Sequence, residues 1–557
     1  MATPEFAMLT FILCFSLTLG VSTNDVIVHL NNGAVRGEEM TGENGNVFYS
    51  FRGIPYAEPP VGNLRFKTPV PKRPWTHVIN ATQDGPPCSQ VNFFTLQYAG
   101  SEDCLYLNVY TPKLPSSDSD VKLDVVFHIH GGGFLAFDGG SVLFGPRRFP
   151  LENVVLVSLT YRVGALGFLS TKDSAAPGNF GLLDQTEALR WVRNNIHKFG
   201  GDSNRVTLLG QSAGAASVLY QMLSPLAEGL FHRAIVTSGS VLCPWAFQRD
   251  PVYWTKKLAQ DVNCSIQDSE ELVACLRQKS AKELITKGLS SIRGTPVLSF
   301  TPTVDNYFLH DTPYNVIRQN KYNREVPLMM GTTKDEGNTW YLGRQNTEQD
   351  FTDDEILDVL KSAVEVRRNV DDKVRKIKKK YFPSINSYKD DDVQKELGKT
   401  LTHGMFHKCI FRTVKAMTES GTKVHFFMYD YEAPFSQSEL FNKPPTYGVC
   451  HGDDLYSLFE GFMFQIKNLD DVSKNVKLHY QKLIINFVQH GNPVLEKADD
   501  EECEWPQAQP NELFRYHVDK ECSVDKYDET EDDLYNFWIK EIYETEEKTT
   551  RNFRDEL

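Results

Sequence analysis

The sequence predicts an α/β fold in which a mainly parallel β-sheet is covered by helices. Short runs rich in Val, Ile and Leu alternate with longer segments of helical periodicity, and most of the short runs lack strict polar–apolar alternation. Strands buried on both faces of a parallel sheet have this composition. Residues 184–199 have apolar side chains at helical spacing and are followed by two glycines, which favours a crossover helix. The predicted strands are residues 105–110, 124–129, 154–159, 205–209, 232–237, 327–331 and 424–428.

We predict one large domain, residues 23–553, with long helical insertions. The chain has 557 residues, but it shows no internal repeat and no Gly/Ser-rich or Pro-rich linker that would divide it. The net charge of −14 argues against a nucleic-acid partner, which needs a concentrated positive surface. No metal-ligand cluster, dinucleotide fingerprint or phosphate loop is visible in the sequence, so we expect no metal and no cofactor. We expect no membrane span, and the composition leaves the oligomeric state open.

Both ends of the chain have features of the secretory pathway. Residues 8–22 form a short apolar stretch, so residues 1–22 are expected to be a signal peptide whose first seven residues resemble a vector-derived leader. Residues 554–557 read RDEL, one residue different from the KDEL retention signal. Sequons at Asn80 and Asn263 predict glycosylation. We therefore expect the lumen of the endoplasmic reticulum, with secretion as the alternative.

The cysteines agree with an oxidising compartment. Two pairs have close local spacing that favours disulfides, and a third pair is a weaker candidate. Cys243, Cys409 and Cys450 are then expected to be free, buried thiols. The two close pairs are Cys88 with Cys104 and Cys264 with Cys275, and the third is Cys503 with Cys522.

The strongest chemical signal is the pentapeptide GQSAG at residues 210–214. It follows the predicted strand 205–209 and precedes the helical pattern 215–223, which is the strand–turn–helix setting of a nucleophile elbow. A tight turn there imposes unusual backbone angles on Ser212, and the flanking glycines avoid collisions. The hydroxyl is then exposed at a helix N-terminus, which favours negative charge. Ser212 is the predicted nucleophile.

A second motif, HGGGF at residues 130–134, directly follows the predicted strand 124–129. Successive glycines let backbone N–H groups approach a substrate oxygen, as acyl transfer requires where oxyanion charge develops. We assign Gly132 and Gly133 to an oxyanion hole, with the N–H of Ala213 as the third donor.

A base and an orienting acid complete the predicted machinery, and in this type of site they follow the serine in the order acid, then histidine. Among the histidines beyond Ser212, His451 lies in a glycine-flanked turn, GVCHGDD at residues 448–454. For the acid, Glu336 follows the predicted strand 327–331, but the adjacent Asp335 is an alternative that periodicity does not exclude.

Eight motifs, in this order, resemble the type-B carboxylesterase/cholinesterase family, and in particular arthropod carboxylesterases including juvenile-hormone esterase-like members. The resemblance spans residue 26 to at least residue 454 and implies the α/β-hydrolase fold. The motifs are LRF (64–66), SEDCLYL (101–107), HGGGF (130–134), SLTYR (158–162), GLLDQ (181–185), GQSAG (210–214), KDEG (334–337) and GVCHGDD (448–454).

The resemblance implies specific roles for residues that the motifs contain. It implies Glu336 rather than Asp335 as the acid, His451 as the base, and an acyl-enzyme on Ser212. The same geometry implies irreversible inhibition by organophosphates and loss of hydrolysis at acid pH as the base becomes protonated. It also implies two disulfides and two structural ion pairs: Cys88–Cys104, Cys264–Cys275, Arg65–Glu102 and Arg162–Asp184.

The resemblance says less about the substrate. Trp245 matches the family's acyl-pocket tryptophan, whose bulk would limit the size of the acyl group. Phe94 stands at the spacing where cholinesterases have a cation-binding tryptophan, and Gln211 replaces their acidic residue, so choline esters are not expected. GQSAG resembles juvenile-hormone esterases, whereas the CPWA segment at residues 243–246 and the RDEL end favour a broad esterase for lipophilic esters, in xenobiotic or lipid-ester metabolism. We favour the broad esterase and keep juvenile-hormone esterase as the alternative.

A different class of function is also considered, because the family includes adhesion proteins that have lost the catalytic residues. Here Ser212, Glu336 and His451 are all present. A non-catalytic binding protein is therefore not the favoured interpretation.

Overall fold

A computed structural model describes most of the chain. The described residues are 26–93, 95–117, 122–290, 298–338, 353–362, 364, 370–382, 390–437, 448–461, 469–495, 503–527 and 536–543. The predicted signal peptide, Phe94 and the terminal RDEL lie outside them.

The framework of the molecule is a 13-stranded mixed sheet, counted over the described residues. Its strands are hydrogen-bonded in the order β1-β2-β3-β7-β9-β8-β10-β11-β12-β13-β14-β15, with β4 beside β2, and β5 and β6 form a separate pair. The strands are β1 (Val26–Leu30), β2 (Gly33–Thr41), β3 (Val47–Pro55), β4 (Val78–Asn80), β5 (Gln90–Val91), β6 (Tyr98–Ala99), β7 (Tyr106–Thr111), β8 (Leu123–Ile129), β9 (Val154–Leu159), β10 (Gly201–Gln211), β11 (Arg233–Thr237), β12 (Leu328–Thr333), β13 (Val424–Tyr429), β14 (Leu513–Val518) and β15 (Ser523–Tyr527).

The centre of the sheet is parallel. Strands β9, β8, β10, β11, β12, β13 and β14 pair in parallel, while β1, β2, β3, β7 and β15 join by antiparallel pairing. Each of the seven predicted strands is present, so the predicted α/β architecture is confirmed. The strand β10 is longer than predicted, because it begins at Gly201 and runs directly into the serine turn.

The composition of the central strands reflects burial on both faces. Every residue of β9, β12 and β13 is buried. On β8, Val125 and Phe127 face one hydrophobic core, whereas Val126 between them faces the other. Apolar residues are therefore needed at successive positions, and no alternation appears.

Helices cover both faces of this sheet. The predicted helix 184–199 corresponds to α2, which begins four residues earlier, continues as a 3₁₀ turn (Ile196–Phe199) and ends at Gly200, whose φ is 82°. Two π-helical segments, Thr402–His407 and Phe537–Tyr543, are also present. The α-helices are α1 (Gly164–Phe168), α2 (Phe180–Asn195), α3 (Ala213–Leu223), α4 (Pro251–Asp261), α5 (Ser269–Gln278), α6 (Ala281–Ser290), α7 (Pro313–Arg318), α8 (Asp353–Ser362), α9 (Val370–Tyr381), α10 (Asp390–Leu401), α11 (Lys408–Glu419) and α12 (Asp471–His490).

None of the helices within the described ranges combines the length and apolar character needed to cross a membrane.

Disulfides tie four pairs of cysteines together in the described residues. The expectation that Cys243 and Cys409 are free thiols is wrong, because they form a disulfide between the loop after β11 and helix α11. These cysteines are 166 residues apart, and only tertiary packing brings them together. Cys450 is buried and belongs to none of the disulfides of the described residues, as predicted. The other three disulfides are Cys88–Cys104, Cys264–Cys275 and Cys503–Cys522.

Candidate active site

Ser212 occupies the turn between β10 and α3. Its backbone angles are φ 59° and ψ −124°, a conformation that costs on the order of 1–3 kcal/mol for a residue with a side chain. The Ser212 N–H donates to the carbonyl of Thr237 at the end of β11, at 2.9 Å. The two neighbouring strands thus hold the serine in the strained turn that the sequence predicts.

Glycines allow this turn to pack closely against its neighbours. A Cβ placed on Gly210 would lie 2.3 Å from the carbonyl oxygen of Gly214, and a Cβ on Gly214 would lie 2.1 Å from that of Ile129. A Cβ on Gly239 would lie 2.2 Å from the carbonyl oxygen of Ser212. The turn therefore accepts no side chain at these positions. The GQSAG motif contains Gly210 and Gly214. Gly239 lies in the loop after β11 and outside the motif, so the sequence did not identify it.

The glycine loop after β8 lies beside this turn. Gly132 and Gly133 have φ values of 102° and 63°, which favour glycine. Among the described residues, neither of their N–H groups donates a hydrogen bond. Ala213 is the first residue of α3, so its N–H has no partner within the helix. A Cβ added to Gly131 would lie 3.1 Å from the Cβ of Ser212, which places the loop next to the serine.

The histidine that begins the glycine loop is neutral. His130 stacks on Tyr161 with ring centroids 4.3 Å apart, and the Tyr161 hydroxyl donates to the His130 carbonyl at 2.9 Å. Burial lowers the pKa of His130 to about 4. This side chain therefore supports the loop without adding positive charge near neutral pH.

Glu336 and His451 form the acid–histidine pair of the site. Nδ1 of His451 lies 2.5 Å from Oε2 of Glu336, which is completely buried. The other oxygen, Oε1, accepts from the Thr332 hydroxyl at 2.6 Å and the Thr333 N–H at 2.9 Å. Burial raises the pKa of Glu336, but the interactions with His451 and the hydrogen bond from Thr332 outweigh burial and hold it below its ordinary value. The carboxyl group is therefore ionised near neutral pH.

Asp335, the alternative acid, has a different place in the structure. Its carboxylate accepts from the Val449 N–H at 3.0 Å, and its backbone N–H donates to the Val449 carbonyl at 3.0 Å. Burial raises its pKa. Asp335 holds the loop that carries His451, whereas Glu336 contacts the imidazole.

A second carboxylate that sequence reasoning missed also holds the histidine loop. Asp453 accepts hydrogen bonds from the N–H groups of Cys450 and Gln437 and from the Ser436 hydroxyl, each at 2.8 Å. Burial raises the pKa of Asp453 to about 7. The doublet after the histidine in GVCHGDD could have signalled such a cap, because Asp side chains commonly bond nearby backbone N–H groups.

The other ring nitrogen of His451 contacts Gln211. From the sequence, Gln211 was notable only because it replaces the acidic residue that cholinesterases have at this position. Nε2 of His451 lies 3.1 Å from the amide nitrogen of Gln211, the last residue of β10. No hydrogen bond joins the Ser212 hydroxyl to His451 within the described part of the chain. The imidazole is thus bound by the amide of Gln211, the residue directly before Ser212.

An aromatic wall borders the imidazole. Trp245 is buried, and its indole N–H donates to the Met405 carbonyl at 3.1 Å. The ring of Phe406 lies 5.9 Å from Trp245 and 4.8 Å from His451, and Phe134 of the glycine loop lies 6.5 Å from Trp245. Sequence reasoning missed Phe406, because its π-helical segment carries no motif and is 45 residues before the histidine.

The remaining predicted residues lie away from this centre. Asn80 and Asn263 are both exposed. The two expected ion pairs are formed: Arg65 Nε lies 2.7 Å from Glu102 Oε1, and Arg162 binds both oxygens of the buried Asp184 at 2.7 Å. They link segments of the scaffold around the site.

Comparisons with known proteins show the family of the chain. A family model described as the carboxylesterase family matches residues 24–538. Esterase FE4 of Myzus persicae is 34% identical over 535 residues, which cover 91% of each chain. Juvenile hormone esterase of Tribolium castaneum is 36% identical over 505 residues, or 84% of each chain. Liver carboxylesterase 1 of Mus musculus is 33% identical over 506 residues, or 86% of this chain and 87% of its own. The chain therefore belongs to the carboxylesterase family: it has the α/β-hydrolase fold and is a carboxylic-ester hydrolase.

Proposed function

We propose that Ser212, Glu336 and His451 form the catalytic triad of a broad esterase for lipophilic carboxylic esters. The observation that carries the proposal is the bond between His451 Nδ1 and the buried, ionised Glu336, next to a serine in a strained strand–helix turn. A carboxylate only accepts hydrogen bonds, so it holds the proton of the neutral imidazole on Nδ1. Nε2 then has the lone pair that can accept the serine proton.

The proposed reaction has two halves. The Ser212 oxygen attacks the ester carbonyl while its proton passes to His451 Nε2, which forms a tetrahedral intermediate. The intermediate collapses, the alcohol leaves with the proton from His451, and an acyl-serine remains. Water then attacks the acyl group with the same histidine as base and releases the acid. A phosphylated serine resembles the tetrahedral intermediate, so we expect irreversible organophosphate inhibition.

The N–H groups of Gly132, Gly133 and Ala213 are the proposed oxyanion hole. Their support is the left-handed backbone of the two glycines, the position of Ala213 at the start of α3, and the closeness of the loop to Ser212. Each such donor contributes a factor of roughly 10² to 10³ in rate.

The substrate preference is proposed from the walls of the site. Trp245 and Phe406 provide apolar surface beside the imidazole, which favours lipophilic acyl groups of limited size. Gln211 is neutral, so it provides no charge for a choline ester. The relatives named esterase and liver carboxylesterase support a broad esterase in xenobiotic or lipid-ester metabolism. Juvenile-hormone esterase is the alternative, supported by GQSAG and by the Tribolium relative.

The test compares Ser212→Ala with a control substitution at the exposed Ser174. We expect Ser212→Ala to lose ester hydrolysis and labelling by a fluorophosphonate probe, whereas Ser174→Ala keeps both. Near-normal turnover by Ser212→Ala would refute the assignment, and a wild-type protein that neither labels nor hydrolyses any ester would favour a binding protein. A panel of esters that varies acyl and alcohol size, including a juvenile-hormone-like methyl ester, distinguishes the two substrate proposals.

The cellular location is also a proposal. Export into the secretory pathway is supported by the disulfides and by the exposure of Asn80 and Asn263, whereas retention is proposed from the RDEL sequence alone. Expression in a eukaryotic secretory system should give a protein whose mass falls on endoglycosidase treatment. Adding one residue after Leu557 should release it into the medium, and unchanged secretion would contradict retention.

A further inference from the structure

The two ring nitrogens of His451 have different partners. Nδ1 faces the Glu336 carboxylate at 2.5 Å, and Nε2 faces the Gln211 amide nitrogen at 3.1 Å. Because a carboxylate can only accept, Nδ1 carries the proton of the neutral ring and Nε2 has the lone pair. The amide nitrogen of Gln211 therefore donates its hydrogen bond to Nε2, which is the atom that has to accept the Ser212 proton.

We propose that Gln211 is a positioning residue that donates to the acceptor atom of the catalytic base and releases it when Ser212 attacks. This inference rests on the proposed triad of Ser212, Glu336 and His451. It assigns Gln211 two effects: the amide holds the imidazole in a fixed orientation, and it stabilises the neutral ring, which is the form able to accept a proton.

The fold fixes the side chain of Gln211 in this place. Gln211 is buried and ends β10, where it pairs in register with Thr237 of β11. On the other side, both its backbone carbonyl and its side-chain oxygen border Gly131, since a Cβ added there would lie 2.8 Å and 3.1 Å from them. The amide is therefore held between the glycine loop and the imidazole.

The charges around the imidazole decide what a change at position 211 does. Glu336 faces Nδ1, and the buried Asp454 interacts with His451 from the same loop. The Phe406 ring, 4.8 Å away, adds no charge. Asp335 bonds to Val449.

Among the basic groups nearby, His407 bonds to the Thr333 carbonyl at 2.9 Å, next to Glu336. Two carboxylates, those of Glu336 and Asp454, thus lie near the imidazole, while the Gln211 amide donates to Nε2. Replacing the Gln211 amide by a third carboxylate would remove the group that donates to Nε2 of the neutral ring. The new carboxylate would instead accept a hydrogen bond from Nε2 of the protonated ring.

The experiment uses Gln211→Glu and Gln211→Met, with the matched controls Gln260→Glu and Gln260→Met at an exposed position of α4. Met has a similar length to Gln but donates no hydrogen bond. The measurement is kcat/KM for 4-nitrophenyl acetate against pH, normalised to the sites that a fluorophosphonate titrates, so that misfolded protein does not contribute.

We expect the midpoint of the acid limb to move to higher pH, by about half a unit for Gln211→Met and by about one unit or more for Gln211→Glu. The Gln260 variants should match the wild type. A residue that only supports the fold would lower the plateau without moving the midpoint, so unchanged midpoints in both Gln211 variants would overturn the inference. The proposed triad fails separately, through hydrolysis that persists in Ser212→Ala.

Discussion

Replacing Glu336 by Gln should remove most of the catalytic rate while leaving the fold intact. In the native protein Oε1 accepts from the Thr332 hydroxyl and the Thr333 N–H, at 2.6 and 2.9 Å. In Glu336→Gln only the amide oxygen satisfies these two donors. The amide nitrogen therefore takes the place of Oε2, next to His451 Nδ1.

This exchange reverses the hydrogen bond to the imidazole. The Gln amide nitrogen donates to Nδ1, so the proton of the neutral ring of His451 moves to Nε2, and Nε2 no longer accepts the Ser212 proton. A wrong tautomer of this kind lowers kcat by about 10⁴-fold in a serine protease, which corresponds to about 5 kcal/mol of barrier. We expect a loss of about 10³- to 10⁴-fold in kcat, with KM changed much less because Glu336 is completely buried.

Asp335→Asn is the matched control, because it changes the neighbouring carboxylate in the same way. Asp335 accepts from the Val449 N–H and does not contact the imidazole. We expect it to keep kcat within about tenfold of the wild type and to lower the thermal midpoint slightly. The assay is steady-state hydrolysis of 4-nitrophenyl acetate by both purified variants. If Glu336→Gln stays within tenfold of the wild type, or Asp335→Asn loses more, the assignment of the acid is refuted.

Three other predictions concern the acyl pocket, the long-range disulfide and a pair at the edge of the sheet. Trp245→Ala should shift the preference of kcat/KM toward bulkier acyl groups, and an unchanged acyl-length profile would remove this tryptophan from the pocket wall. Replacing both Cys243 and Cys409 by Ala should lower the free energy of unfolding by up to about 5 kcal/mol, since the disulfide closes a loop with a separation of 166 residues. Urea denaturation measures this free energy, and an unchanged midpoint would contradict the predicted stabilisation by the disulfide. Hydrogen bonds, led by that to Asp430, raise the pKa of His517 to about 9. Because the folded value is above the unfolded one of about 6.5, this pair stabilises the fold fully below about pH 6.5, and the contribution is lost as pH rises through about 9. The stability difference between the wild type and His517→Gln should accordingly shrink over that range, and a difference that grows with pH would contradict the prediction.

The sequence was sufficient for the parallel centre of the sheet, where burial on both faces requires continuous apolar runs such as those of β9 and β13. It did not predict the antiparallel edge. In β2, Arg36, Glu38 and Glu39 interrupt the apolar residues, and Val35 is one of only two buried positions. Such a strand forms because β1 and β3 pair with it, and that pairing is not visible in its own residues.

The site divides in the same way into local and long-range features. The glycine loop and the serine turn are local motifs. A Cβ on Gly131, Gly132, Gly210 or Gly214 would collide with backbone atoms, and Gly133 has a positive φ of 63°. The contact between Gln211 and His451 joins residues 240 positions apart, and the disulfide Cys243–Cys409 joins residues 166 positions apart. Neither leaves a pattern in the sequence. The first contact depends on how the segment after β13 returns to the end of β10, and the disulfide depends on how helix α11 packs against the loop after β11.

The most direct test of the proposed mechanism is to identify the residue that becomes acylated. The enzyme is mixed with 4-nitrophenyl acetate, quenched in acid within one turnover, digested and analysed by mass spectrometry, with Ser212→Ala in parallel. The proposed triad predicts an acetyl group on Ser212 that disappears as turnover is allowed to continue, and no acetyl adduct in the variant. An acetyl group that forms on another residue at the rate of turnover, or rapid hydrolysis by Ser212→Ala, would contradict it.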